Sequence, residues 1–180
     1  MGWKTLKERF WIKHIVQISD GRICIGSGYV HDLAAVDMKT GRAVSNKTFS
    51  DFLSKDCPEL AAANPAAILD AINAQDEFSA SIPVFTYDGP VIIEKQCEEI
   101  GWPNLTHDGC IMYENTFSTD RDQVVRWALQ NMRLGVKYGR ESVLRIEQEL
   151  AEAKERLASE EAGVAQLERE HPVIATEAHE

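Results

Sequence analysis

The chain has 180 residues, 44% of them hydrophobic and 27% charged, which suffices for one real core with an extension, or for two small domains. Its formal net charge of −10 disfavours nonspecific contact with phosphates, so direct nucleic-acid binding is not expected. No apolar run approaches the roughly 18 residues of a membrane span and no long apolar h-region opens the chain. The four cysteines form no CxxC pair, so the expected setting is cytoplasmic, with free thiols.

Residues 2–11 read as a short amphipathic helix with Trp3, Leu6 and Phe10 on one face and basic residues between them. A membrane-docking reading lacks a second anchor, so packing on its own domain is the better expectation. Residues 12–19 then alternate, placing Ile12, His14, Val16 and Ile18 on one face. Asp20-Gly21 is a hairpin signal, and strands follow over 22–26, 29–37 and 42–46, the last two joined at Lys39-Thr40-Gly41. This is an antiparallel meander, which needs a covering helix to be stable. Gly26-Ser27-Gly28 lacks the third glycine or Lys-Ser/Thr of a phosphate loop, and extended residues follow it. It reads as a bulge or bend.

The middle reads as helical. A helix over 49–63 starts at Ser50 or Asp51 and is split by Pro58. Asn64-Pro65 is an N-cap with proline at the first helical position, opening a helix to about 74 that buries Ile68, Leu69 and Ile72. Residues 81–87 read as a strand. Asp88-Gly89-Pro90 reads as a turn into a helix over 91–100, and 110–117 as a strand with Ile111, Tyr113 and Phe117 on one face. The expected sheet combines the early meander with the strands at 81–87 and 110–117.

Asp120, with Gln123 three residues on, matches a capping box and opens a helix to about 170. Its heptad a positions are Leu129, Val136, Val143, Leu150, Leu157 and Val164. Its d positions are Val125, Met132, Gly139, Ile146, Ala153, Glu160 and Leu167. At 1.5 Å per residue the helix would be about 75 Å long, more than a small domain can bury. The first half carries a second stripe of Val124, Trp127, Leu134 and Tyr138, which predicts packing on two sides up to about 138. The second half has only the narrow seam of a coiled coil. The expected homodimer interface comprises Leu129, Met132, Val136, Val143, Ile146, Leu150, Ala153, Leu157, Val164 and Leu167. A parallel pair sets Glu149 against Lys154 and Arg156 against Glu161 of the second copy. Gly139, Ala153 and Glu160 at d leave an antiparallel pair or a fold-back open.

The fold class is therefore α+β: a small antiparallel meander sheet with covering helices, followed by a long C-terminal coiled-coil helix. The divisions are an acidic domain over 1–118, the helix over 119–171 and a flexible tail over 172–180.

Chemistry-bearing clusters are sparse. His107, Asp108 and Cys110 could hold a metal or a Cys-His pair, but no second cluster completes four ligands, and His31-Asp32 is the only comparable pair. No metal, cofactor or catalytic residue is assigned. Charge is more uneven. Residues 48–120 hold thirteen acidic groups against two basic ones, whereas 121–145 hold six basic against two acidic. Asp70, Asp76, Glu77, Glu98 and Glu99 are the expected acidic face for a partner with a basic surface. The leading expectation is a non-enzymatic adaptor or inhibitor, of a kind that would suit a bacterial or phage system. The alternatives are a small enzyme using His31, His107 and Cys110, and an assembly component that works through its coil.

Overall fold

The computed structural model describes residues 1–171; the tail read as flexible lies outside them. The fold is α+β, with a four-stranded antiparallel sheet, short helices and a long C-terminal helix. Two compact units divide between Leu129 and Gln130.

The first unit opens on α1 (Trp3–Arg9), and the meander follows as β1 (Ile15–Ser19), β2 (Arg22–Gly26), β3 (Ala34–Asp37) and β4 (Ala43–Ser45), in that spatial order. Asp20 and Gly21 both have positive φ, +50° and +70°, as a two-residue type I′ turn requires. That turn fixes Val16 opposite Ile25 and Ile18 opposite Ile23. On β3, Val36 meets Ile23 and Ala34 meets Ile25. These residues form one apolar face, and α1 supplies Trp3, Leu6 and Phe10 to the same core. The apolar side of α1 is thus buried within its own unit. The segment read as a strand from 29 pairs only from Ala34 onward. Residues 27–30 form a tight turn in which the Ser27 hydroxyl accepts from the N–H groups of Tyr29 and Val30.

The second side of the core comes from α2 (Phe52–Asp56), α3 (Pro58–Ala62) and α4 (Pro65–Asn73). The 49–63 segment is split at Pro58 as expected: α2 ends at Asp56, and Pro58 opens α3, as its missing N–H allows at a first turn. Asn64 caps α4 by accepting from the Ala67 N–H at 2.8 Å.

Residues 91–100 are not helical. Val91–Cys97 is β6, paired along its full length with β5 (Ile82–Asp88) across the Gly89-Pro90 turn. The β-branched run Val91-Ile92-Ile93 outweighs the helix-start signal of Pro90, because strand pairing gives each backbone group a partner. Nor do these strands join the meander: β5–β6 is a separate two-stranded sheet. The expected strand over 110–117 shrinks to β8 (Ile111–Met112), paired with β7 (Asn104–Leu105). Val84, Cys97 and Met112 make a small second core, and the Phe85–Ser118 bridge ties the hairpin to the approach of the long helix.

That helix, α5, runs from Arg121 to Glu170. Asp120 caps it, accepting from the N–H groups of Asp122 and Gln123. The reciprocal half of the capping box is absent, because the Gln123 side chain accepts from the Ser118 hydroxyl instead. Val124 and Ala128 are buried in the first unit. The second apolar stripe stops there: Leu134 and Tyr138 are exposed, contrary to the two-sided packing expected up to 138. Every described residue from Gln130 onward is exposed in the single chain.

Candidate functional site

Helix α1 leaves one long edge uncovered. Lys4, Lys7 and Glu8 stand along it, followed by Trp11, Ile12 and Lys13. With Phe78 and residues of the 98–105 segment they line a groove of about 660 Å³, a volume in the range of ligand and peptide sites. The groove floor is aromatic. The Phe78 ring stacks on His107, with centroids 3.7 Å apart and planes 7° from parallel, and the Lys4 ammonium lies 5.2 Å from its centroid. The Trp3 indole N–H donates to the His107 carbonyl at 2.9 Å.

The charges along the groove differ in how far they are neutralised. Lys4 Nζ binds Glu98 at 2.9 Å and approaches Glu8 at 3.7 Å. Burial pulls the Lys4 ammonium down, but the hydrogen bond and charges of its acidic neighbours outweigh it, and the net shift is upward. Glu98 also accepts from the N–H and hydroxyl of Ser79, both at 2.8 Å. The Ser79 N–H above all, with Lys4 and the Ser79 hydroxyl, holds the Glu98 carboxyl at about 2. Among the described residues Lys7 and Lys13 form no ion pair with an acid, although both line the groove. Asn104 is fully buried in the lining, and its Nδ2 has no hydrogen-bond acceptor, while its Oδ1 accepts from the Gly101 N–H at 3.4 Å.

Trp11 is the least ordinary member of this set. It sits at φ +50°, in left-handed backbone, with its side chain 76% exposed. The cause is the way α1 ends. Ile12 N–H returns to the Lys7 carbonyl at 2.9 Å and Trp11 N–H to the Glu8 carbonyl at 3.3 Å. This is the Schellman pattern, whose left-handed position is normally glycine. Periodicity could have flagged Trp11, since it is a tryptophan lying off the apolar face of α1. The roles of Asn104 and Lys7 had no local signal.

The expected acidic face has mixed duties. Asp76 accepts from the N–H groups of Lys4 and Thr5 and from the Thr5 hydroxyl, capping α1 from a distant point in the chain. Glu98 is held as described, and Asp70 pairs with Arg9 at 3.1 Å. Glu77 lends only its backbone carbonyl to Lys4. Glu99 lines the groove.

Of the residues considered for chemistry, Asp108 and Cys110 share Thr106 and Lys95, whereas His31 and His107 have other contacts. His31 Nε2 lies 2.9 Å from the Tyr113 hydroxyl, His107 stacks on Phe78, and the Cys110 thiol faces the Ile111 carbonyl. Asp108 pairs with Lys95 at 2.5 Å and with the Thr106 hydroxyl. Burial drives its carboxyl up, but these two partners prevail and lower it. Among the described residues no group of three or more His, Cys, Asp or Glu is placed to hold a metal ion. All four cysteines are free thiols, and burial pushes Cys57 up to about 11.

The residues expected at a dimer interface all lie exposed on α5. Leu129, Met132, Val136, Val143, Ile146, Leu150, Leu157, Val164 and Leu167 are 45–61% exposed, and Ala153 is exposed beside them. Among the described residues no helix is long and apolar enough to cross a membrane. No family model matches the chain, and no curated protein or solved structure shows a significant similarity to it.

Proposed function

We propose that this chain is a non-enzymatic interaction protein that pairs with a second copy through α5 and presents its α+β unit to a macromolecular partner, as an adaptor or inhibitor. One observation carries the reading: apolar side chains recur at a and d from Leu129 to Leu167, and in a single chain they are about half exposed. A seam of that length has no use in a solvated single helix, because each leucine left in water forgoes about 1.5–3 kcal/mol of burial. Ion pairs within the helix, such as Arg145–Glu149 at 3.2 Å, support helix formation without selecting a partner. Glu77 and Glu99 are the acidic residues left to steer a basic surface, since Asp76 and Glu98 serve the unit's own fold and Asp70 pairs with Arg9.

Sedimentation equilibrium at micromolar concentration tests the pairing. A dimer is expected for the wild type and a monomer for the Leu150→Ala, Leu157→Ala double variant, at about 2–5 kcal/mol per buried leucine. A wild-type monomer would remove the reading.

A further inference from the structure

We propose that the groove beside α1 is a docking site for an extended peptide segment of a partner protein, one that carries an apolar anchor residue next to a carboxylate. The proposal rests on the reading of the chain as an interaction protein, but not on pairing through α5. Four observations converge on it.

The first is Trp11. Left-handed backbone is costly at a bulky residue, and it persists where the surroundings over-determine it. Glycine would end α1 in the same way without that cost. The strain gains no packing within the chain, since the indole is 76% exposed. An occupant of the groove would cover it, and tryptophan is a favoured anchor residue at protein interfaces.

The second is charge. The Lys4 ammonium is answered by Glu98 and Glu8, whereas Lys7 and Lys13 on the groove wall have no acidic partner among the described residues. A carboxylate on the ligand meets that wall. Glu99 also lines the groove, and the part of the ligand nearest to it is required to be neutral or basic. The third is Asn104: its buried Nδ2 is a donor without an acceptor, and a backbone carbonyl or carboxylate oxygen of the ligand is the group it lacks. The fourth decides between a small molecule and a chain. Trp102 stands between two lining residues, Gly101 and Pro103, yet is not itself part of the lining and is 61% exposed. An extended chain that runs on past Gly101 and Pro103 is the occupant with the length to reach Trp102 as well as Trp11.

The test uses the full chain as bait against a displayed library of random short peptides. The enriched sequences are expected to share an aromatic or large aliphatic residue adjacent to Asp or Glu. A synthetic peptide of that consensus should bind in fluorescence anisotropy, more weakly as salt rises. Trp11→Gly should weaken it at least about ten-fold, as loss of an anchor does. Lys7→Glu with Lys13→Glu should do the same. The thermal midpoint of Trp11→Gly should stay level or rise, because glycine relieves the left-handed backbone. Undiminished binding in Trp11→Gly, enrichment without an acidic residue, or no enrichment would each overturn the proposal. So would a fall in the midpoint of Trp11→Gly, which would make Trp11 a packing residue. Binding of the wild type to phosphatidylserine vesicles, lost in Trp11→Gly, would replace the peptide with a lipid surface and equally overturn it. Sedimentation of the same samples reports pairing separately, so a monomer that binds the peptide removes the dimer and leaves the groove.

Discussion

Glu98 and Gly109 show how single residues hold the first unit together. Glu98 joins the 79 region to α1 through Lys4, and its carboxyl is depressed from the ordinary 4.5 to about 2. A group depressed in the folded state stabilises fully above its unfolded value and loses that contribution as pH falls through the folded one. Glu98→Gln should therefore lower stability at neutral pH, by about 1–2 kcal/mol for charge-assisted bonds of this kind. The deficit should fade between about pH 4.5 and pH 2. Denaturant titrations of both proteins across that window check it. A deficit that persists at pH 2 would assign the loss to packing. Gly109 has φ +76°, and an added Cβ would lie 2.8 Å from Ile18 Cγ1 and 3.1 Å from the Trp3 ring. Its carbonyl also accepts from the Ile18 N–H at 2.8 Å, tying the 106–110 turn to the meander. Gly109→Ala should cost about 1–3 kcal/mol from backbone strain and crowding together. A thermal midpoint within error of the wild type would show that the turn can move aside.

Among the elements, α5 carries the most informative contrast. Its first turns are buried through Val124 and Ala128, and its remaining described length is exposed. If two copies pair in parallel and in register, position 150 meets its twin across the seam. A Leu150→Cys variant should then cross-link rapidly under mild oxidation, and slow cross-linking in a proven dimer would favour the antiparallel arrangement. The buried thiols of Cys24, Cys57 and Cys97 interfere little, and the partly exposed Cys110 is replaced by serine in the same background. The β5–β6 hairpin is the other instructive element. Asp88-Gly89-Pro90 serves either as a hairpin turn or as the entry to a helix, and the residues after Pro90 decide. Three β-branched side chains in a row make a poor first helical turn and a good strand.

For the whole molecule, the uneven charge separates two tasks. Reversing Asp76 or Glu98 removes a helix cap or a buried-edge ion pair, so these changes should destabilise the first unit. Reversing Glu77 and Glu99 together should leave the stability within about 0.5 kcal/mol of wild type, as exposed surface substitutions do. The same double reversal should slow association with a basic partner and flatten its salt dependence. Thermal melts and association kinetics on one set of variants separate the two effects. Equal association rates for wild type and the Glu77, Glu99 double reversal would leave those charges a solubilising role alone.

Local signals determined much of this protein from sequence. Asp20-Gly21, the alternation around it, the Asn64-Pro65 cap and the Asp120 cap that opens α5 each rest on chemistry within a few residues, so each is visible in the string. The turn dihedrals and the 2.8 Å cap at Asn64 follow from those residues. What only the tertiary structure decided rests on contacts between distant segments. Asp76 caps a helix more than seventy residues before it, lying 72 and 71 positions from its two backbone donors. The same holds for the pairing of Lys4 with Glu98, which leaves Lys7 and Lys13 as the unmatched cations of the groove. No pattern in sequence order encodes which acid answers which lysine, because that choice is made by the packing of α1 against segments far along the chain. The division of the strands into separate sheets was beyond the string for the same reason. Alternation marks a strand but not its neighbour, and pairing is settled by which backbone edges the packed chain brings together.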